Sequence, residues 1–171
     1  MEEIEVPTEQ LHETIGEKVE EAEGHEEKKS MMGIAISTAL MAVFAALSSL
    51  IAGHHSDEAV LEQIHASDQW AYYQAKGIKA EIQSLSTNAD KAAVITKYKN
   101  EQADIKKEAE ASEAASHLHL EHHAILARAV TLFQISIAIS AIAILTKKRI
   151  LWFASLGISC FGLFFFISGL F

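Results

Sequence analysis

The stretch that decides the fold is MMGIAISTALMAVFAALSSLIA, residues 31–52, which runs for 22 residues without a charged side chain. Two further uncharged stretches are AVTLFQISIAISAIAILT at 129–146 and ILWFASLGISCFGLFFFISGLF at 150–171. A bilayer core of about 30 Å is crossed by roughly 20 helical residues, so each stretch is long enough to span it, the second narrowly. The sequence therefore predicts an all-α membrane protein with three transmembrane helices. An acidic leader before the first stretch disfavours the alternative of a cleaved signal peptide.

Charged residues at the ends of these stretches predict how the chain is oriented and divided. Lys28 and Lys29 precede the first stretch, and a basic cluster at 147–149 separates the second from the third. Because Lys and Arg concentrate on the cytoplasmic side, both clusters are expected there, although Arg128 argues weakly against this. The predicted segments are an acidic cytoplasmic leader with a short amphipathic helix (1–30), transmembrane helix 1 (31–53), an extracytoplasmic helical hairpin (54–127), transmembrane helix 2 (128–146), a basic cytoplasmic turn (147–149) and transmembrane helix 3 (150–171), with an extracytoplasmic C-terminus.

Residues 54–127 are predicted to form a long antiparallel helical hairpin. The clear break is SLSTNAD at 84–90, which supplies turn and capping residues. Each arm has a face that repeats at steps of three and four, the spacing of a coiled coil. In the first arm this face is Leu61, Ile64, Ala71, Ala75, Ile78, Ile82 and Leu85, interrupted by Asp68. In the second arm it is Ile95, Tyr98, Gln102, Ile105, Ala109, Ser112, Ser116, His119, His123 and Leu126. We expect the two faces to pack together and each arm to continue into the adjoining span.

Small residues follow one face of the first and third spans. They are Ala35, Ala39, Ala42, Ala46, Ser49 and Gly53 in the first, and Ser155, Ser159, Gly162 and Gly169 in the third. Such faces let helices approach closely in lipid, either within one chain or between copies. Because a two-helix hairpin buries little surface by itself, the sequence favours a homo-oligomer.

The densest group of polar and aromatic side chains lies in SDQWAYYQAKGIK, residues 67–79. Trp70 lies about 25 Å along a straight helix from Gly53, too far to anchor at a membrane interface. One interpretation is that the aromatic rings pack on small residues of the second arm: Ala109, Ala111 and Ser112. The other is that the segment contacts another copy, an envelope protein or a ligand. The candidate interaction residues are Asp68, Trp70, Tyr73, Gln74, Lys76 and Lys79.

Four segments carry a resemblance to a known family: SDQWAYYQAKGIK (67–79), FQISIAIS (133–140), KKRILW (147–152) and the glycine-bearing last span, 150–171. Over nearly its whole length the chain resembles the bacterial membrane family called domain of unknown function 4337. The resemblance implies three spans and a multi-pass location in the bacterial inner (plasma) membrane. It implies no activity and supplies no catalytic residues.

Seven of the nine histidines lie in the predicted hairpin. A turn near residue 88 would bring His54 and His55 opposite His122 and His123, with His119 one helical turn from His123. Imidazole and carboxylate groups in this geometry suit zinc, nickel or copper. The candidate metal ligands are therefore His54, His55, His119, His122 and His123, with Glu58 and Glu121 nearby. The alternatives are solvated histidines at the helix bases and a pH-responsive segment.

The composition disfavours several classes of function. The chain has a net charge of −9 and no basic stripe, so it is not expected to bind nucleic acid. Its single cysteine, Cys160, lies in an apolar run and cannot form a disulfide within the chain. No catalytic motif or phosphate-binding loop is recognisable, so neither enzyme activity nor a cofactor is expected, apart from the metal considered above.

These features together predict a non-enzymatic, homo-oligomeric assembly or scaffold that presents the hairpin to the periplasm. The expected partners are membrane lipid, other copies of the chain and an envelope protein. A channel or transport component is the alternative, although the spans offer only Gln134 and scattered hydroxyls as polar groups. A histidine-based metal or pH sensor is the second alternative.

Overall fold

The computed structural model describes residues 25–87 and 90–171. It contains three helices: α1 (His25–Ser84), α2 (Lys91–Thr146) and α3 (Arg149–Leu170). Each is long and apolar enough to cross a membrane, and the described residues form no strand, so the prediction of an all-α chain with three such helices is confirmed. The amphipathic helix expected within residues 1–30 lies outside the described residues. Of this segment the structure describes only residues 25–30, which begin α1.

Local sequence explains where the helices end. No proline follows Pro7, so nothing interrupts α1 or α2 over 60 and 56 residues. Between α2 and α3 the backbone of Lys147 turns into the left-handed region with φ 53°, and Lys148 is extended. A residue in this conformation closes the end of a helix by letting its N–H reach back, and here Lys147 N donates to Ile144 O at 3.3 Å. The basic turn is therefore tight.

The described residues belong to two compact units. The three-helix unit contains the described residues 25–52 together with His123–Phe171, and the two-helix unit contains the described residues of Gly53–His122. The core of the three-helix unit is built around Phe133, which is 1% exposed. The ring of Phe44 stacks on Phe133 at 5.9 Å and meets Phe166 edge-on at 5.8 Å.

Small and hydroxyl residues bring the helices of the three-helix unit together. Gly162 and Gly169 of α3 are buried against Phe133 and Leu126 of α2, so the small face predicted for the third span is used within the chain. The hydroxyls of Thr38 and Ser140 lie 2.9 Å apart, both fully buried, and join α1 to α2. In lipid, where hydrophobic drive between helices is absent, such contacts hold helices together.

The two-helix unit packs through small side chains. Ala59, Ala66 and Ala80 of α1 recur at multiples of seven residues and are 2%, 0% and 7% exposed. The opposing face of α2 is the predicted one, with Ile105, Ala109, Ser112 and Ser116 buried. Side chains this small let the backbones approach closely, so that Ser116 Oγ donates to the carbonyl oxygen of Ala59 at 2.9 Å. The packing face predicted for α2 is confirmed.

The packing face predicted for α1 is wrong. Its large apolar side chains are exposed: Leu61 60%, Ile64 54%, Ile78 58%, Ile82 63% and Leu85 85%. The alanine face lies toward α2 instead, because Leu or Ile at the contact would hold the helices apart and break the close fit. The apolar repeat of α1 therefore lies on its outer side.

Candidate functional site

The outer stripe is the apolar repeat on the exposed side of α1 in the two-helix unit. It consists of Leu61, Ile64, Asp68, Ala71, Ala75, Ile78, Ile82 and Leu85. All of these are exposed except Ala75, which is half-buried. Soluble surfaces seldom carry so many large apolar side chains in one line, and a contiguous patch of this kind is typical of an interface. The stripe is the first candidate site.

The aromatic segment, residues 67–79, is divided between two sides of α1. Trp70 is directed toward α2, where its indole Nε1 donates to Glu113 Oε1 at 2.8 Å. The ring of Tyr73 meets that of Trp70 edge-on at 5.6 Å, and the Tyr73 carbonyl accepts a hydrogen bond from Gln102 Nε2 at 3.0 Å. The Trp70 indole, the Tyr73 ring and the Tyr73 carbonyl therefore make contacts within the chain. That Trp70 or Tyr73 contacts another copy stays a prediction.

Lys76 forms the principal ion pair between the two helices. Its Nζ lies 2.5 Å from Glu101 Oε2, and its side chain is only 12% exposed. The ammonium also lies 5.0 Å and 5.4 Å from the ring centres of Tyr72 and Tyr98. The hydrogen bond from Lys76 holds the pKa of Glu101 below its ordinary value, and the same bond raises the pKa of Lys76. Both groups are thereby kept charged.

This pair should stabilise the two-helix unit between an acidic and an alkaline limit. A lowered carboxyl pKa adds stability above its ordinary value of 4.5 that is lost as pH falls through the folded-state pKa. A raised lysine pKa adds stability below 10.5 that is lost as pH rises through the folded-state pKa. We expect Glu101→Gln to lower the Tm at neutral pH and to flatten its pH dependence, as measured by circular dichroism in detergent. Glu110→Gln is the control, because Glu110 pairs with Lys106 on an exposed surface. An equal fall in Tm for both variants would contradict the assignment.

The remaining candidate interaction residues lie on the surface. Asp68, Gln74 and Lys79 are exposed, and Asp68 interrupts the outer stripe. A Cβ at Gly77 would lie 2.9 Å from Gln102 Nε2, so the amide that donates to the Tyr73 carbonyl would have to shift. The six candidates therefore separate into three that face α2 (Trp70, Tyr73 and Lys76) and three that remain accessible.

Three of the five candidate histidines meet in the two-helix unit. His55 Nδ1 lies 3.1 Å from His119 Nδ1, and the His55 ring lies 5.1 Å from that of His122 in a stacked arrangement. His54 is exposed, with its ring 6.0 Å from that of His55. His123 belongs to the three-helix unit, where its Nδ1 donates to the carbonyl of Ala52 at 2.8 Å. Of the predicted meeting of His54 and His55 with His122 and His123, the structure describes the contact of His55 with His122.

Metal binding by these histidines stays a prediction. Among residues 25–87 and 90–171, no group of three or more His, Cys, Asp or Glu side chains is arranged to hold a metal ion. The Nδ1 atoms of His55 and His119 lie at hydrogen-bonding distance from each other, which needs one donor and one acceptor. Titration of the protein with zinc would test the metal interpretation, and the absence of micromolar binding would exclude it.

Sequence reasoning missed two acids that the geometry makes important. Glu101 and Glu113 receive the Lys76 and Trp70 hydrogen bonds, yet neither stands out in a sequence rich in glutamate. The available signal was the register of the two arms, because a turn near residue 88 places Lys76 opposite residues around 100. Charge complementarity along that register would have found the first pair.

A protein-family model described as a domain of unknown function (DUF4337) matches residues 30–171. No curated protein and no solved structure matches the chain.

Proposed function

Because the chain belongs to the DUF4337 family, as its sequence predicted, and that description states no activity, we propose a function from the chain's own geometry. The protein is a non-enzymatic, homo-oligomeric scaffold of the bacterial inner membrane. It presents the two-helix unit as a hairpin to the periplasm, with the N-terminus in the cytoplasm. The observation that carries this proposal is the outer stripe.

The stripe has the geometry that a second copy requires. Its apolar side chains repeat at alternating steps of three and four, which keeps one face of a helix against a partner with the same repeat. Copies inserted in one membrane with one orientation have parallel α1 helices, so each stripe meets the same stripe. The residues that flank the stripe do not oppose this arrangement, since in a parallel pair the neutral amide of Gln74 of one copy lies near Lys79 of the next; within the stripe, Asp68 is the one opposing charge.

The area of the stripe suits association within a membrane. Its five large side chains expose roughly 500 Å² per chain, so a pair would bury about 1,000 Å², near the lower edge of specific interfaces. Such a contact is weak between freely diffusing proteins. Confinement to one bilayer raises the effective concentration of copies and makes a contact of this size sufficient.

A polar side chain in the second span supports the same conclusion. Gln134 lies within the stretch 129–146, five residues after its start, and its side chain is exposed on the three-helix unit. Facing lipid, an amide would lose hydrogen bonds that a neighbouring helix could supply. Contact with another copy would satisfy this group.

We expect Ile82→Ala to weaken self-association of the full-length chain by about ten- to a hundredfold, because each of the two copies loses a buried side chain. Alanine favours helix, and Ile82 is 63% exposed, so the single chain should fold normally. Energy transfer between labelled copies in liposomes, diluted with lipid, measures the change.

The matched control is Leu118→Ala, which removes a similarly exposed side chain (55%) from α2, away from the outer stripe. It should leave association unchanged. A chain that is monomeric at every dilution, or an equal effect of the two variants, would exclude the proposal.

Conduction by the assembly is the alternative function, and Gln134 is the observation that favours it. In an oligomer the exposed amide could line a polar path between copies. Flux of ions or small solutes into liposomes that contain the protein would distinguish a channel from a scaffold.

A further inference from the structure

Two cavities of the three-helix unit lie where α1 enters its apolar stretch, α2 ends and α3 begins. Each has a volume of about 300 Å³, and they share Ser30 and Arg149 in their walls. The first also contacts Lys147, and the second contacts Lys29 and Trp152. Three cationic side chains from three segments therefore surround one small region.

The walls of the first cavity change from charged to apolar. Its inner wall is formed by Met31, Ile34 and Ile144, which are 6%, 5% and 3% exposed, together with Ala143. The cations of this cavity, Lys147 and Arg149, are exposed at its rim, and Lys29 is exposed on the second cavity, which shares Arg149. A ligand that fits must combine negative charge with an apolar part.

The charge of this region is positive even when nearby acids are counted. Among the side chains that the structure describes, those of residues 29–87 and 90–171, no Asp or Glu lines either cavity. The nearest acids in sequence are Glu26 and Glu27, three and two residues before Lys29, and the five cations at 28, 29 and 147–149 outnumber them.

We propose that these cavities bind the headgroup of an acidic phospholipid. Lys29 and Arg149 contact the phosphate, since a guanidinium offers paired donors to phosphate oxygens. Met31, Ile34 and Ile144 contact the first carbons of the acyl chains. Basic pockets between membrane helices bind acidic lipid headgroups in this way.

The apolar wall and Trp152 favour a lipid over free phosphate. Inorganic phosphate would contact only the cationic rim, and the apolar wall would stay exposed to water. Trp152 is half-buried, and its Nε1 donates to Ser37 Oγ at 3.1 Å, which fixes the ring beside the second cavity. Tryptophan at the level of lipid headgroups is typical of membrane proteins.

Trp152 makes the proposal measurable in the full-length chain. In a Trp70→Phe background it is the only tryptophan. Reconstituted protein would be given either phosphatidylglycerol or phosphatidylcholine, each brominated near the headgroup end of its acyl chains. We expect the acidic lipid to quench Trp152 at a lower mole fraction than the zwitterionic lipid.

Removing the rim charges should abolish this preference. Each of Lys29→Gln and Arg149→Gln should weaken binding of the acidic lipid about fivefold. The double variant should weaken this binding about ten- to thirtyfold. Lys148→Gln is the matched control, because Lys148 lies in the same turn but lines neither cavity. Its preference for the acidic lipid should remain that of the parent.

Three results would overturn the proposal. Equal quenching by the two lipids would show that no headgroup is selected. An equal loss of acidic-lipid binding in Lys148→Gln would show that the lipid is attracted to the charge of the whole basic turn. Displacement of the acidic lipid by millimolar inorganic phosphate would show a phosphate site that does not need a lipid.

Discussion

Replacing Gly162 with leucine should lower the stability of the three-helix unit by about 3 kcal/mol, the upper range for overpacking a core. A Cβ at this position would already lie 3.2 Å from Phe133 Cε1 and 3.4 Å from Leu132 Cβ. The remainder of a leucine side chain must displace the Phe133 ring, which is 1% exposed and stacked on Phe44. Since Gly162 lies in the middle of α3, the helix cannot relieve the clash by unwinding an end. Titration with SDS in mixed micelles, followed by Trp152 fluorescence in a Trp70→Phe background, measures the loss.

Gly157 provides the matched control within the same helix. Nothing lies within 4 Å of a Cβ built there, so Gly157→Leu should change stability by less than about 1 kcal/mol. If both leucine variants resist SDS as the parent does, α3 does not pack on α2 through Gly162 and Phe133. If the stability of both variants falls equally, leucine destabilises α3 itself and the effect does not depend on the contact with Phe133.

The three apolar helices could be predicted because membrane spans depend on a strong local signal. A run of about 20 uncharged residues has few other stable environments, so 31–52 and 150–171 indicate spans without knowledge of their neighbours. The packing face of α2 was predictable for a similar reason. On that helix Ile105, Ala109, Ser112 and Ser116 follow a single repeat, and the lysines and glutamates between them lie at other positions of the helix.

The packing face of α1 could not be predicted by the same rule, because α1 carries two seven-residue repeats. One contains Leu61, Ile78 and Ile82, and the other contains Ala59, Ala66 and Ala80. Hydrophobicity alone favours the first. The choice depends on the small residues of α2, which offer a close-packed contact to alanine and no space for leucine.

Specific polar contacts could not be predicted from the sequence, because they depend on the three-dimensional arrangement of the helices. Thr38 and Ser140 are two of several hydroxyl residues in the spans, and only the three-dimensional arrangement shows that they face each other at 2.9 Å. The cationic rim of the cavities could not be predicted for the same reason. Lys29 and Arg149 are 120 residues apart, and the sequence identified both as topology signals without showing that they line a common cavity.

Replacing Asp68 with leucine should strengthen self-association by more than about a hundredfold. Asp68 is the one charged position of the outer stripe, and in a parallel pair it would face the same residue of the other copy. Two carboxylates about 6 Å apart repel by roughly 1–3 kcal/mol at the effective dielectric constants of protein surfaces. Leucine removes this repulsion and adds apolar area, worth about 1–2 kcal/mol for each copy. Dilution of labelled copies in liposomes, followed by energy transfer, measures the change.

Asp68→Asn separates the two contributions, because it removes the charge and adds no apolar area. It should strengthen association about tenfold, and this gain should shrink at high salt, where repulsion in the parent is screened. Asp104→Leu is the control for unspecific adhesion, since Asp104 is exposed on α2 away from the stripe. Equal gains for Asp104→Leu and Asp68→Leu, or no gain for Asp68→Leu, would exclude a parallel pairing of the stripes. A gain for Asp68→Leu alone would mean that Asp68 keeps the assembly weak enough to dissociate, which is the known effect of a single polar residue in a coiled-coil seam.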